Sequence, residues 1–431
     1  MPDESRGYPG TTLPKSRIEL SGLAATLLAR PETCAPGLHP ANPALRPRDP
    51  QPSEMLIFTS PMPSNPTPEP ISADLGARSG LDAVNGGSRF LRACLRKPVD
   101  RTPVWFLRQA GRYMPEYMAV RRHHTLLEIC KRPQLAAEVT ITAAEKLDVD
   151  AAIIFADLLL PLPTMGLDFE FQAGEGPVVH KPLRTPEDIQ RLRSDRAGEL
   201  SYVAEAIDLV VTHFKDRIGI IGFIGSPFTL ASYMIEGGGS RNYVHTKTLM
   251  YRQPAAWHML LEKLVVVLRE YAAQQVAAGA DVIQIFDSWA GALSVADYRD
   301  FVLPITRTLV REVQALGVPV IYFGVDTASL LPAMRETGAD VLGLDWRTPL
   351  NEAWRKLDYS CAVQGNLDPI TLFADPELIR DRVRQILTEA GGRPGHIFNL
   401  GHGIVPGTPV EHVQQVVRFV REFVPAGGTL G

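Results

Sequence analysis

Apolar runs that stop at a polar residue recur down this chain with helical segments between them, and this alternation limits the fold more than any other feature. Eight such runs can be read: VWFL (104–107), AAIIFAD (151–157), IGIIGFIGS (218–226), DVIQIFDS (281–288), VPVIYFGVD (318–326), ADVLGLD (339–345), CAVQGNLD (361–368) and HIFNLGHG (396–403). An almost continuous apolar run has no polar face to offer water, so each reads as a strand buried on both faces. Between them PQLAAEVTITAAEKL (133–147), AAWHMLLEKLVVVLREYAAQQVAAG (255–279) and SLLPAMRETG (329–338) read as helices, and VEHVQQVVRFVREF (410–423) closes the series. Several open at Pro or end at Gly, as helix starts and stops do. Strand–helix alternation implies an α/β protein with a parallel sheet and helices outside it. Eight units predict a closed (β/α)₈ TIM barrel. The main rival, an open doubly wound sheet, usually places a glycine-rich phosphate turn after its first strand, where this chain has RQAGR and no GxGxxG.

Residues 1–85 have a different texture. PETCAPGLHPANPALRPRDPQPS and SPMPSNPTPEPIS are dense in proline and without sustained periodicity, a composition that builds no core. The segment could be a disordered tail, a transit peptide, or residues upstream of a start at Met55 or Met62. Asp3, Glu4, Glu19 and Glu32 weigh against a transit peptide, which is usually poor in acids. The expected organisation is a disordered or non-native extension over 1–85 and a single barrel domain over 86–431.

A formal charge of −4 argues against a general nucleic-acid binder, so any anion site must be local. Cys34, Cys94, Cys130 and Cys361 are far apart and form no CxxC pair, which suggests neither a disulfide framework nor a cysteine zinc site and points to a reducing cytoplasm. No apolar run approaches the length of about 18 residues that a spanning helix needs, so an integral membrane protein is not expected.

In a TIM barrel the carboxyl ends of the strands form the active-site mouth. Here they carry Arg108 and Arg112, Asp157, Ser226, Asp287 and Ser288, Asp326, Asp345, Asn366 and Asp368, and Asn399 and His402. Short polar residues at strand ends also cap the helices that follow, and Asp326, before Thr-Ala-Ser, reads as such a cap. The arginines resist that reading. WFLRQAGRYMPEY (105–117) runs an apolar strand directly into Arg108 and, after one Gly, Arg112. A guanidinium donates paired hydrogen bonds and keeps its charge, so two at one place suggest a polyanionic ligand. In GSPFTLASYMIEGGGS (225–240) a turn, a Tyr and three glycines read as a lid or substrate wall, and a phosphate cradle is a weaker alternative. His402, between glycines in NLGHGI, could donate a hydrogen bond to a carboxylate.

PVWFLRQAGRYMPEY, IIFADLLLPLPTMGL, GFIGSPFTLASYMIEGGGS, QIFDSWAG and NLGHGIVPGTPVEHV, in that order, closely resemble the uroporphyrinogen decarboxylase family over about residues 86–425. The resemblance implies a cofactor-free, metal-free homodimeric carboxy-lyase of porphyrin and heme biosynthesis. Such an enzyme turns the four acetate side chains of uroporphyrinogen III into methyls, giving coproporphyrinogen III. It also implies site residues: Arg108 and Arg112 as carboxylate anchors, with Gln109, Ala110 and Gly111 lining the substrate between them; Asp157 and Arg108 are the expected catalytic residues, with Arg108 or an ordered water the candidate proton donor. Asp157 would accept the pyrrole N–H groups, and Tyr233, Ser288 and His402 would complete the pocket. Arg121 could add a contact, although the MAV before it departs from the more usual charged residues.

Two rivals remain in view. Related barrel methyltransferases activate a thiol on zinc and need His and Cys at the mouth, whereas Cys361 is expected at the opposite end of its strand. A non-catalytic tetrapyrrole-binding protein would use the same Arg and Asp residues, and turnover separates it from an enzyme.

Overall fold

A computed structural model describes the protein over residues 87–172 and 176–424. The proline-rich segment and Cys34 lie outside the described residues. Seven strands form one parallel sheet: β1 (Ala151–Ile153), β4 (Gly219–Gly225), β5 (Val282–Asp287), β6 (Val320–Gly324), β7 (Val341–Gly343), β8 (Ala362–Gln364) and β9 (His396–Ile397), each bonded to the next in that order. Between β1 and β4 an antiparallel pair, β2 (Phe169–Gln172) and β3 (Gly176–Val179), stands apart from the sheet.

The eighth stave is the first apolar run, and it is narrower than a strand. Val104 makes a single parallel bridge to Phe398. The Phe398 N–H donates to Pro103 O at 2.8 Å, and the Asp150 N–H donates to Val104 O at 2.8 Å. The segment is therefore bonded to the neighbours of β9 on one side and of β1 on the other, which closes the ring. Side chains reinforce this seam, since Asn399 Oδ1 accepts from the Leu107 N–H at 2.9 Å.

The helices follow their sequence signals. Pro133–Leu147 and Val410–Glu422 fall where periodicity places them, and Pro254–Ala277 starts at a proline and stops before Gly279. The expected helix over 329–338 is shorter, Leu331–Arg335, because Pro332 sets its start and the chain turns away at Gly338, whose φ is +86°. Inside the barrel the lining is less apolar than the runs suggest. Trp105 Nε1 donates to Gln364 Oε1 at 3.0 Å, and Gln364 Nε2 donates to Gln284 Oε1 at 3.3 Å. This chain of bonds ties the first stave to β5 and β8 and ends at Gln284, whose buried Nε2 has no partner among the described residues. Among the described residues, no helix is long and apolar enough to cross a membrane.

Candidate active site

The mouth begins where the first stave ends. Arg108 sits in the left-handed region, with φ +59°, a conformation costly for a residue with a Cβ. Its side chain leaves the seam across Gly403, where a Cβ would stand 2.4 Å from Arg108 Cδ. The second glycine of NLGHG is thus required by close approach, and Arg108 is held against the end of the last stave. The turn behind it is pinned from below. Gln109 is buried, its Nε2 donating to Ala151 O at 3.2 Å and its Oε1 accepting from the Phe106 N–H at 3.3 Å. The Tyr113 hydroxyl donates to Gln109 O at 2.7 Å. That side chain belongs to the wall, leaving half-buried Ala110 and Gly111 and exposed Arg112 toward solvent. Arg112 and Arg121 converge on Tyr117, whose hydroxyl is pushed up by burial and drawn down by both guanidiniums. Arg121 also donates to His124 O.

Asp157 follows β1 and is half-buried. Its Oδ1 accepts from the Leu159 N–H at 2.9 Å, an Asx-type turn that leads into the short helix Pro161–Thr164. Burial pushes its carboxyl up to about 6, against the opposing pull of that N–H and of the Arg108 charge. A carboxyl pushed up by burial beside a guanidinium is a functional candidate on physical grounds.

Tyr233 stands on the helix Pro227–Glu236, which is capped by Ser226 and ended by Gly237 in the left-handed region. The stretch read as a lid is therefore mostly packed helix. Its residues Pro227–Ser232 are buried, and Gly237 serves as a C-cap because only a residue lacking Cβ fits against Pro182 at that φ. The Tyr233 ring lies on Trp289 with centroids 3.8 Å apart. Burial and the Asp157 charge push its hydroxyl up to about 12, while Arg108 pulls the other way. Ser288, half-buried, is the residue before Trp289 at the end of β5.

His402 is held below the usual histidine range by burial and by Arg108, so the ring is neutral at physiological pH. It meets the Trp346 ring edge-on at 6.2 Å. Arg108 thus acts electrostatically on Asp157, Tyr233 and His402 together, although these four residues come from four different staves or their loops.

The other strand-end residues are structural. Ser226 and Asp368 cap the segments that follow them, and Asn366 Nδ2 donates to Asp345 O at 2.8 Å and Thr348 O at 2.7 Å. The expected cap at Asp326 is not one. Asp326 has φ +59° and an exposed side chain, and its N–H donates to Asp345, because the chain turns there before reaching the helix at Leu331. Sequence reasoning missed Trp346 and Arg347, which follow Asp345 at the end of β7. Arg347 lies over the Trp346 ring at 4.1 Å and bonds Asp345 at 3.0 Å. The DWR triplet satisfied the same strand-end rule that identified Arg108. Cys361 precedes β8, at the far end of the strands from the mouth.

The uroporphyrinogen decarboxylase (URO-D) family profile matches residues 86–423. A uroporphyrinogen decarboxylase from Koribacter versatilis (strain Ellin345) is 64% identical over 337 residues, spanning 78% of this chain and 96% of that protein. One from Chloroflexus aurantiacus (strain ATCC 29366 / DSM 635 / J-10-fl) is 56% identical over 340 residues, spanning 78% and 96%. Among solved structures, a methyltransferase from Methanosarcina mazei aligns with a TM-score of 0.65 at 21% identity, covering 78% of this chain and 98% of that one. At that identity the likeness carries the barrel and not the reaction.

Proposed function

This chain belongs to the uroporphyrinogen decarboxylase family, and we propose that its mouth decarboxylates the acetate side chains of uroporphyrinogen III to methyls, releasing coproporphyrinogen III. The observation that carries the reading is the grouping of Arg108, Asp157, Tyr233 and His402, in which burial pushes one half-buried carboxyl up to about 6 beside the Arg108 guanidinium.

The substrate carries eight carboxylates, and Arg108 and Arg112 anchor some of them through charge-assisted bonds. Ala110 and Gly111 line the substrate between these anchors, and Gln109, whose side chain is spent on the wall, contributes main chain. Tyr233, Ser288 and His402 complete the pocket. His402, being neutral, donates without adding charge.

Loss of carbon dioxide needs a place for the electrons of the breaking C–C bond. The pyrrole ring supplies it. A proton added to the ring carbon beside the acetate-bearing carbon gives a cation shared with the ring nitrogen. Carbon dioxide leaves, its bonding pair flows into the ring, and an exocyclic methylene remains. A second proton at that methylene makes the methyl, and loss of the first ring proton restores the pyrrole, so one proton replaces each carbon dioxide. Ionised Asp157, accepting the pyrrole N–H groups, stabilises the cation, and the low-dielectric cleft strengthens the effect. Substrate binding favours that ionised form, because N–H donors and positive charge both lower a carboxyl pKa.

The chain acts as a homodimer in the cytoplasm on this reading, which family resemblance supports and sedimentation analysis checks. The activity test is anaerobic incubation of the metal-stripped protein with uroporphyrinogen III, followed by chromatography of the oxidised products. Stepwise loss of carboxyl groups is expected. Tight binding without product would leave a tetrapyrrole-binding protein instead.

A further inference from the structure

Tyr233 and Ser288 lie on different elements, and a single buried carboxylate joins those elements. Asp287, the last residue of β5, is wholly buried. Its Oδ1 accepts from Ser226 Oγ at 2.5 Å and Thr229 Oγ1 at 2.7 Å, and its Oδ2 accepts from the Tyr322 hydroxyl at 2.6 Å. Tyr322 is in turn 3.0 Å from the Tyr298 hydroxyl. All of these partners are neutral hydroxyls. Burying a carboxylate with no cation against it is costly, and burial does raise its pKa. Packing alone does not require a charge there.

The serine and threonine hydroxyls each have a second bond, and those bonds lead to the mouth. Ser226 Oγ accepts from the Thr229 N–H at 3.1 Å, fixing the first turn of the helix that carries Tyr233. Thr229 Oγ1 accepts from the Trp289 N–H at 3.3 Å. Thr229 and Tyr233 are four residues apart and share a helix face. One therefore holds the Trp289 backbone while the other stacks on its ring at 3.8 Å. Ser288 lies between Asp287 and Trp289, both of which are fixed by the same threonine.

We propose that Thr229, anchored by Asp287, is a positioning residue that sets Tyr233 and Ser288 in register with each other at the substrate. The inference rests on the reading that these two residues line the substrate pocket. Thr229 touches no substrate. It acts by holding Trp289 between the helix and the strand end, a fixation worth rate because small misplacements at a reacting centre are expensive.

The test compares two ways of removing one hydroxyl from the same carboxylate, in the full chain. Thr229→Val cuts the link to Trp289, whereas Tyr322→Phe removes a donor on the side of Asp287 away from it. Thr229→Val is expected to lower kcat about 10- to 100-fold and to alter the near-ultraviolet circular dichroism of the tryptophans. Thr229→Ser, which keeps the hydroxyl, should restore both. Tyr322→Phe should lower Tm yet keep kcat within about twofold, since Trp289 stays pinned. A wild-type kcat in Thr229→Val, or equal losses in Thr229→Val and Tyr322→Phe, would overturn the proposal and leave the cluster a stabilising hub. Tyr233→Phe and Ser288→Ala measured alongside report on the underlying reading. If both keep wild-type kcat and KM, the pocket assignment fails; if they are impaired while Thr229→Val is not, only the positioning role fails.

Discussion

Asp150 and Asp157 stand at opposite ends of the same strand, and the protein treats their charges in opposite ways. Asp150, just before β1, is bonded by Arg89 at 2.8 Å, by Arg101 through two bonds at 2.9 Å, and by the Val104 N–H at 2.9 Å. Asp157, beyond the other end, accepts from the Leu159 N–H and feels Arg108 only through space. Paired ions at the base of the barrel contribute to the seam and to folding. At the mouth a carboxylate short of partners keeps capacity for a ligand's N–H groups, as expected where base residues serve stability and mouth residues serve chemistry.

The contrast breaks most visibly if each Asp is removed. Asp150→Ala strands Arg101 at the seam and leaves Arg89 with Asp100 alone, and should cost about 3 kcal/mol of stability, while turnover per folded molecule survives; denaturant unfolding beside active-site titration checks both. Asp157→Ala should do the reverse, raising the barrier by about 2.7–4 kcal/mol while the folded state persists. Full turnover in that variant would remove Asp157 from the mechanism.

Asp157→Asn sharpens the comparison through pH. The folded carboxyl is raised to about 6 from 3.8, so the folded state binds this proton more tightly than the unfolded chain does. The group therefore lowers stability as pH rises from about 4 to about 6, and the loss persists above that. The Asn variant should be more stable than its parent by about 1–3 kcal/mol near pH 7, with the difference vanishing below about pH 4. Thermal melts across that range decide it. In the parent, kcat/KM should fall on the acid side with a limb near 6, and the limb should persist in His402→Gln, since it belongs to Asp157.

The smallest effect belongs to Gly403→Ala. The added methyl would meet the Arg108 stem, so KM should rise about tenfold with little change in Tm.

Much of this was legible in the sequence because parallel strands buried on both faces write themselves as apolar runs, and because barrel chemistry gathers at their carboxyl ends. Arg108 and Asp157 stood out for that reason. The same rule could not separate Asp157 from Asp287, since strand-end position says nothing about who donates to a carboxylate. Asp287 is enclosed by hydroxyls from two other staves, contacts distant in sequence. Gln284 and Gln364 were hidden for a related reason: isolated amides in apolar runs declare no partner until the ring is closed. Of the two readings of 225–240, lid or substrate wall, the packed helix Pro227–Glu236 favours the wall, because the glycines that suggested mobility begin with Gly237, a helix cap.

The seam that closes the barrel joins residues 103–107 to residues 398–404, nearly the whole domain apart in sequence. A chain growing from its amino terminus makes Arg108 long before Gly403. During synthesis the guanidinium therefore has no surface to lie against until the final stave leaves the ribosome. Products truncated before that stave would carry the arginines, Asp157 and the strands from β1 to β8, and still lack the seam that seats Arg108.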